Sequence, residues 1–346
     1  MQRRLRSFSI ILSLSGVVPA SVCTSCRKEA ETTTTEPRLI VYCSVDEPFA
    51  RAVLARFTRQ TGIAVQPVFD TEAGKTTGLV NRIIAEDKSG RTRADVFWSS
   101  EVFNTVLLAR RGLLTAYESP AAADVPAHFK DVEHRWTGTA VRARVLALSP
   151  DLPADKAPRT WQDVGSETLA ARVAIANPLF GTTRGHVAAM FALWGPDRAK
   201  SFLRSLRDRG ALLLDSNSAT VRAVISDRAD FAATDSDDVE AARKGGASLG
   251  IAYPDMGDGG TLLIPCTVAM LKGRMNEASS RRLVDFLVSA EVERMLAESD
   301  SRNVPVRAWL RDSLGIALPP GSRVSFDAVA DAMDEAEAAV REILLR

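Results

Sequence analysis

The chain has 346 residues, of which 46% are hydrophobic and 25% are charged, with 44 Lys and Arg against 43 Asp and Glu. This is the composition of an ordinary globular protein, so it excludes a disordered chain and a multi-span membrane protein. The net charge of +1 leaves no basic excess for nucleic acid, and the length suffices for about two domains.

The first 25 residues have the pattern of an export signal. Three Arg are followed by an apolar run at 8–18 and then by small residues. The apolar run is too short to span a bilayer. The small residues before Cys26 resemble the lipobox of bacterial lipoproteins, which predicts an exported chain anchored to the membrane by a lipid on Cys26. The Thr-rich stretch at 26–37 is then a flexible tether.

From residue 38 onward, patterns typical of buried strands alternate with patterns typical of amphipathic helices. Strands and helices are predicted in turn at 38–45, 47–62, 63–70, 79–90, 94–100 and 103–112. Gly62 stands where a C-cap is expected for the first helix. This alternation with short connections predicts a doubly wound α/β layer structure.

The middle and C-terminal parts of the chain repeat this alternation. Strands are predicted at 139–150, 171–178, 211–216 and 231–236, with two more inside 247–273. Helices are predicted at 159–166, 182–195, 197–210, 219–229 and from 329 to the C-terminus, with one or two more at 279–298.

The strand-like runs at 139–150 and 261–271 are not paired with a crossover helix, which suits two connections between lobes. We therefore expect an α/β fold of two lobes, each a doubly wound mixed sheet. The first lobe would be discontinuous, formed by 38–137 and 262–346, and the second would be inserted at 138–261. In such folds, ligands bind in the cleft between the lobes, at the carboxyl ends of the strands.

Polar side chains are concentrated where predicted strands pass into the following helices. Because those carboxyl ends face the cleft, we expect these side chains to line it. The candidates are Ser44, Asp46, Thr71, Thr182, Thr183, Arg184, Asn217, Ser218, Asp235, Asp237 and Asp238. The alternative for each of them is a helix cap or a solvated loop.

Two of these segments carry specific chemistry. The Thr pair at 182–183 falls at a predicted helix start, where backbone N–H groups and the helix dipole favour an anion, and Arg184 could add a bidentate contact. The run DSDD at 235–238 places three carboxylates together. Asp237 and Glu240 have the spacing of a capping box, so this run caps a helix, binds a ligand or does both.

Three stretches of the chain resemble a known family. They are LIVYCSVDEPFARAVLARFTRQTGIAV at 39–65, ADVFWSSEVFNTVLLARRGLL at 94–114 and VDFLVSAEVERMLAESDSRNVPVR at 284–307. Together they are similar to the type 2 periplasmic solute-binding proteins of ABC importers, above all to the ferric-iron-binding branch. The resemblance implies a monomeric binding protein without a cofactor, which captures a small solute and delivers it to an ABC permease and its ATPase.

The resemblance also implies where a ligand would be held. In the ferric branch a His, an acid and two adjacent Tyr hold the iron, and a small anion completes the shell. Carried over to this chain, the His position falls on Asp46 and the acid position on Ser100 or Glu101. The position of the tyrosine pair falls within 235–238. The chain has three Tyr, and none is adjacent to another, which disfavours phenolate ligation.

The ligand class therefore stays open between a metal and an organic solute. An all-oxygen set suits a hard cation such as Fe³⁺ with a bound anion, and its candidate ligands are Asp46, Glu101, Asp237 and Asp238. An organic amine is also compatible with these carboxylates. A small zwitterion or phosphonate could place its anionic end at 182–184 and its amine at 235–238.

Other functional classes find little support in the sequence. It contains no G-x-S-x-G, Walker loop, G-x-G-x-x-G after a strand or H-E-x-x-H, and it has three His, so an enzyme is disfavoured. A lipoprotein that senses a solute and reports it to a membrane partner is the alternative to transport. Cys43 and Cys266 lie in apolar strand-like runs and are expected to be buried free thiols.

Overall fold

The computed structural model describes residues 38–70, 77–166, 169, 171–273 and 276–346. The predicted signal sequence, Cys26, the tether and Thr71 lie outside these residues. The strands are β1 (Leu39–Cys43), β2 (Val65–Phe69), β3 (Val96–Ser99), β4 (Leu114–Thr115), β5 (Thr137–Leu148), β6 (Val173–Ala176), β7 (Leu212–Leu214), β8 (Phe231–Asp235), β9 (Gly250–Ala252) and β10 (Leu263–Leu271). The helices are α1 (Glu47–Thr61), α2 (Thr77–Lys88), α3 (Phe103–Arg110), α4 (Trp161–Val164), α5 (Gly181–Trp194), α6 (Pro196–Asp208), α7 (Asn217–Ile225), α8 (Ser236–Lys244), α9 (Glu277–Leu287), α10 (Ala290–Glu298), α11 (Ala308–Leu314) and α12 (Phe326–Ile343).

Local sequence explains where several helices begin and end. Gly62 adopts a left-handed conformation with φ 74° and caps α1 as predicted, because a residue without a Cβ reaches this region at little cost. Thr160 and Asp163 form a capping box at the start of α4. The capping box predicted for Asp237 and Glu240 is wrong. Asp235 ends β8 and is the N-cap of α8, so Asp237 already lies inside the first turn.

The strands form one continuous path in the order β2-β1-β3-β10-β5-β8-β6-β7, with β4 beside β10 and β9 beside β5. The pairs of β1 with β2 and β3, and of β6 with β7 and β8, are parallel. The long strands β5 and β10 are antiparallel to their neighbours. The sheets are therefore mixed, as predicted, and the carboxyl ends of the parallel strands carry the connections to the helices.

β5 connects the two groups of strands. Its first half, 137–143, pairs with β10, and its second half, 144–148, pairs with β8 and β9. The C-terminal helix α12 packs against α5 and α6 and also against α3. It therefore contacts elements assigned by the sequence to both lobes, and the predicted lobe boundaries stay a prediction.

Separate apolar clusters hold these layers together. One cluster packs β1 and β3 against α1, α9 and α10, with Trp98 and Phe57 fully buried. Another joins α3, α5 and α12. Cys43 and Cys266 are buried free thiols, which confirms the expectation from the sequence. Within the described ranges, no helix combines the length and apolarity needed to cross a bilayer.

Candidate ligand-binding cleft

A cavity of about 60 Å³, the inner chamber, lies where the strands β6 and β8 end and the helices α5, α7 and α8 begin. It is lined by Asp46, Ser100, Arg142, Ala176, Asn177, Phe180, Gly181, Thr182, Thr183, Asp215, Ser216, Asn217, Ser218, Asp235, Asp237 and Asp238. Strand ends from different parts of the sheet thus bring distant segments of the chain to one place, as expected for a doubly wound fold.

The amino ends of three helices meet at the inner chamber. α5 begins at Gly181, which has φ 53°, and within the described chain no side chain caps this helix. α7 is capped by Ser216, whose hydroxyl accepts from the N–H of Ala219. α8 follows directly on Asp235. Free N–H groups and aligned peptide dipoles make such ends favourable for negative charge.

Asp235 is already neutralised by the protein. Its Oδ1 lies 2.7 Å from Nη1 of Arg144, which is fully buried. Its Oδ2 accepts from the Thr182 hydroxyl at 2.6 Å and from Nδ2 of Asn217 at 2.9 Å. Two residues expected to contact a ligand therefore also hold Asp235 in place, and the Asp235 carboxylate has little capacity left for a cation.

Asp237 is neutralised by a second arginine. Nη1 of Arg142 lies 3.0 Å from Oδ2 of Asp237 and 3.9 Å from Oδ2 of Asp235. Burial alone would lower the pKa of Arg142, but the nearby carboxylates, Asp237 first, raise that pKa well above its ordinary value. Nδ2 of Asn303 donates to the same Asp237 oxygen at 3.3 Å. Arg142 thus stays charged at the wall of the inner chamber.

Asp238 belongs to both the inner chamber and a wider cavity. Its Oδ2 accepts from the Thr234 hydroxyl at 3.2 Å. The wider cavity, the outer chamber, measures about 440 Å³ and shares Asp46, Ser218 and Asp238 with the inner one. Its described lining adds two more carboxylates, that of Glu47, which pairs with Arg51 at 2.6 Å, and that of Asp70, which accepts from the N–H of Leu79 at 3.0 Å. Carboxylates therefore line both chambers, and the inner chamber differs in that it also carries helix amino ends and Arg142.

Among the predicted site residues that the structure describes, three lie outside the inner chamber. Glu101 is buried, and its Oε2 accepts from the N–H groups of Phe103 and Asn104 at the start of α3. Burial raises the pKa of Glu101. Within the described residues, carboxylate oxygens of Asp235, Asp237 and Asp238 lie within 4.8 Å of one another, and neither Glu101 nor Asp46 belongs to this group.

The other two predicted residues outside the inner chamber are Arg184 and Ser44. Arg184 turns towards α12 and α3, pairing with Glu337 at 3.1 Å and donating to Oδ1 of Asn104 at 3.1 Å. Ser44 accepts from the N–H of Ser100 at 2.9 Å and lines the outer chamber. Arg184 thus serves as a contact between helices in this structure, and Ser44 supports Ser100 at the chamber wall.

Sequence reasoning missed the two arginines of β5. A signal for them existed, because Arg142 and Arg144 interrupt the otherwise apolar strand TGTAVRARVLAL. Buried charges need partners, so two arginines two residues apart on one strand predict acids opposite the same face. Asn177, Asp215 and Asp70 were also missed, since each follows a strand in an ordinary polar loop.

Comparisons with known proteins agree with this architecture. A family model described as bacterial extracellular solute-binding protein matches residues 39–299. The probable ABC transporter periplasmic-binding protein y4fP of Sinorhizobium fredii is 29% identical over 231 residues, and the match spans 62% of this chain and 60% of that protein. Iron uptake protein A1 of Synechocystis is 22% identical, over 95% of this chain and 98% of that protein.

Solved structures show the same fold. A ferric binding protein from Campylobacter jejuni superposes with a TM-score of 0.79 at 19% identity, covering 88% of this chain and 99% of that chain. The periplasmic binding protein AfuA from Actinobacillus pleuropneumoniae, with fructose-6-phosphate bound, gives a TM-score of 0.72 at 19% identity, covering 88% and 97%. The described chain therefore has the two-lobed α/β fold of periplasmic binding proteins.

Proposed function

Because this chain belongs to the bacterial extracellular solute-binding protein family, we propose that it captures a small zwitterion and delivers it to the permease and ATPase of an ABC importer. The observation that carries this proposal is the polarity of the cleft. Helix amino ends and Arg142 line the inner chamber together with five aspartates, of which Asp235 and Asp237 are paired with arginines, and four carboxylates line the outer chamber. A solute with an anionic end and an amine matches both chambers at once.

The inner chamber suits the anionic end of the solute. Thr182, Thr183 and Asn217 lie in the first turns of α5 and α7, where backbone N–H groups are available to a carboxylate or phosphonate. The guanidinium of Arg142, which pairs with Asp237, lies at the same wall and offers its further N–H donors to an anion. Asp235 and Asp237 are paired with Arg144 and Arg142, so their charges do not repel an anion as isolated carboxylates would.

The outer chamber suits the amine. Asp46 and Asp238 stand at the passage between the chambers, and Glu47 and Asp70 continue along the outer wall. An ammonium group is a compact charge with three donors, and carboxylate oxygens are its best acceptors. In this proposal Ser44, Ser100 and Ser218 provide hydroxyl contacts near the passage. Asp235 and Asp237 act mainly by positioning the two arginines.

Ferric iron with a bound anion is the second candidate for the ligand, and the names of similar proteins support it. Iron uptake protein A1 and the Campylobacter ferric binding protein carry iron in their names. Two observations weigh against it for this chain. A cation on Asp237 would lie close to the guanidinium of Arg142, which repels it. Tyr42 and Tyr117 donate to Glu86 and Asp285 instead of facing the cleft.

The fold itself is compatible with an organic solute that carries a phosphorus oxyanion. The neighbouring AfuA structure contains fructose-6-phosphate. The chambers of the present chain combine an anion-binding end with acceptors for the remainder of such a molecule. This neighbour therefore supports an organic anion as a ligand class, while the four carboxylates of the outer chamber favour an amine over a sugar.

Titration of the full-length chain with 2-aminoethylphosphonate, ethylphosphonate, ethanolamine and ferric citrate tests the proposal. The zwitterion is expected to bind about tenfold more tightly than either half, since each charge-assisted hydrogen bond contributes roughly 1.5–3 kcal/mol. At a hundredfold excess over Kd it would raise the free energy of unfolding by about 2.7 kcal/mol. Saturable binding of ferric citrate without binding of the zwitterion would favour the iron candidate and refute the proposal.

We further propose that the chain is exported by residues 1–25 and anchored through a lipid on Cys26. The support is the signal pattern of the sequence, and export agrees with a family of extracellular binding proteins. Metabolic labelling with a radioactive fatty acid should label the wild-type chain and not Cys26→Ser. Equal labelling of both, or recovery of the wild-type chain in the water phase of a detergent partition, would contradict anchoring at Cys26.

A further inference from the structure

A large cavity lies away from the cleft, beneath the segment that leads into α12. It measures about 720 Å³, within the range of roughly 300–1,000 Å³ typical of ligand pockets. The segment 318–327 forms one wall, the loop 127–136 forms another, and the end of α3 and the start of β10 close it from behind. We call it the strap cavity. Among the described residues, none lines both the strap cavity and a chamber of the cleft.

The floor of the strap cavity is apolar and well packed. Val106, Leu262 and Trp136 are between 1% and 6% exposed. The ring of Phe326 meets the Trp136 ring edge to face, with 6.2 Å between their centroids. A rigid aromatic and aliphatic floor of this kind favours a hydrocarbon chain or a ring as its occupant.

The rim of the strap cavity carries cations that lack acidic partners. Lys130 Nζ donates to the carbonyl of Ala122, and Arg311 Nη1 donates to two backbone carbonyls at 2.8 and 2.9 Å. Arg323 Nη2 donates to the carbonyl of Asp258 at 2.9 Å. Within the described chain, none of these three side chains forms an ion pair. Carbonyl contacts hold the cations in place without cancelling their charge.

The acids of the rim are occupied by other arginines. Asp131 accepts from Arg135 at both carboxylate oxygens, at 2.7 and 2.9 Å. Asp327 pairs with Arg110 at 3.0 Å. The rim therefore has an excess of positive charge. His128 also lines this cavity. Its pKa is lowered, first by burial and then by the positive charge of Arg311.

We propose that the strap cavity binds an amphipathic anion, a single carboxylate with a hydrocarbon tail. The carboxylate would lie at Lys130, Arg311 and Arg323, and the tail would lie on Trp136 and Phe326. A small molecule fits better than a membrane surface, because the floor is buried beneath the strap and a bilayer cannot reach it. The site is chemically unlike the cleft and would bind its ligand independently of it.

Titration of the full-length chain with dodecanoate below its micelle concentration tests this proposal. Saturable quenching of tryptophan fluorescence is expected, and most of it should disappear in Trp136→Phe. Arg311→Gln/Arg323→Gln should weaken dodecanoate binding by about tenfold or more. Arg59→Gln/Arg204→Gln removes two exposed arginines outside the cavity lining and should leave binding unchanged. Dodecyltrimethylammonium should bind far more weakly than dodecanoate.

A second variant keeps the test valid if the double substitution destabilises the fold. Lys130→Gln removes a charge that is held, within the described chain, by one hydrogen bond to the carbonyl of Ala122, and it should weaken dodecanoate binding on its own. Non-saturable quenching, equal binding of the cationic amphiphile, or unchanged affinity in Lys130→Gln and the double variant would each overturn the proposal. Binding of dodecanoate abolished by Arg142→Gln would place the anion in the cleft instead, and it would also refute the proposal.

Discussion

Arg144 and Asp235 form an ion pair beneath the cleft, with 2.7 Å between Nη1 and Oδ1 and side chains that are 0% and 1% exposed. The two residues are direct partners in the antiparallel register of β5 and β8. Because neither charge is hydrated, each depends on the other for its stability in the interior. The pair thereby fixes the end of β8, from which α8 begins, relative to the strand that connects the two groups of strands.

Removing the arginine from this pair should destabilise the protein strongly. Arg144→Met leaves Asp235 with hydroxyl and amide donors but without a countercharge, and breaking a buried pair costs about 3–5 kcal/mol. Urea denaturation followed by circular dichroism measures the loss. The matched control is Arg207→Met, since Arg207 pairs with Asp208 at about half exposure and should lose roughly 1 kcal/mol or less. Equal losses in both variants would contradict the structural role of Arg144.

Substitution of Arg142 should weaken binding of the anionic end of the proposed solute, and substitution of Asp238 should weaken binding of its amine. Arg142→Gln removes the guanidinium that lines the inner chamber and pairs with Asp237, and it is expected to weaken ethylphosphonate binding by about tenfold. Asp238→Asn removes a carboxylate at the passage and should weaken ethanolamine binding by a similar factor. Calorimetric titration of each variant with each half-ligand gives the four affinities.

Comparing how much each variant weakens binding of each half-ligand shows which chamber holds the anionic end of the solute and which holds the amine. Arg142→Gln also frees Asp237 from its guanidinium partner, so binding of a hard cation should become stronger in this variant. If Asp238→Asn weakens the phosphonate more than the amine, the proposed orientation of the solute is reversed. If neither variant changes either affinity, the solute does not bind in these chambers.

The alternation of strands and helices was predictable, because hydrophobic periodicity and caps such as Gly62 are local signals. Most of the candidate cleft residues follow strands, and the topology of a doubly wound sheet gathers such positions at one edge. The partners of the buried charges could not be predicted from the neighbouring sequence. Arg144 meets Asp235 across a strand pair separated by 91 residues in sequence. Arg184 meets Glu337 across 153 residues.

Gly185 should be intolerant of any side chain. It lies in α5 one turn after the cleft residues, and an added Cβ would overlap the ring of Phe103 at the start of α3. Overpacking of this kind typically costs about 1–3 kcal/mol. Thermal denaturation of Gly185→Ala measures the loss. The double variant Gly185→Ala/Phe103→Leu should recover part of it, because the smaller side chain makes room for the methyl group. Additive losses in the double variant would show that the contact does not limit the packing of α5.

Glu293 is a buried carboxyl whose ionisation should make stability depend on pH. It is 0% exposed, and Nη1 of Arg307 lies 2.8 Å from its Oε1. Arg307 is shared, since its Nε also donates to Asp124 at 2.7 Å. Burial therefore outweighs the attraction of Arg307 and raises the pKa of Glu293 to about 7.

The folded state then retains a proton on Glu293 that the unfolded chain has already lost above its pKa of roughly 4.3. The contribution of Glu293 to the free energy of unfolding is fully present below pH ~4.3, falls as the pH rises towards 7, and is lost above that value. Glu293→Gln removes this dependence while keeping a hydrogen-bonding side chain of similar size. The stability difference between wild type and Glu293→Gln should therefore fall by about 3 kcal/mol between pH 4.3 and 7, as measured by urea denaturation. A difference that stays constant over this range would show that Glu293 is ionised in the folded protein at all of these pH values.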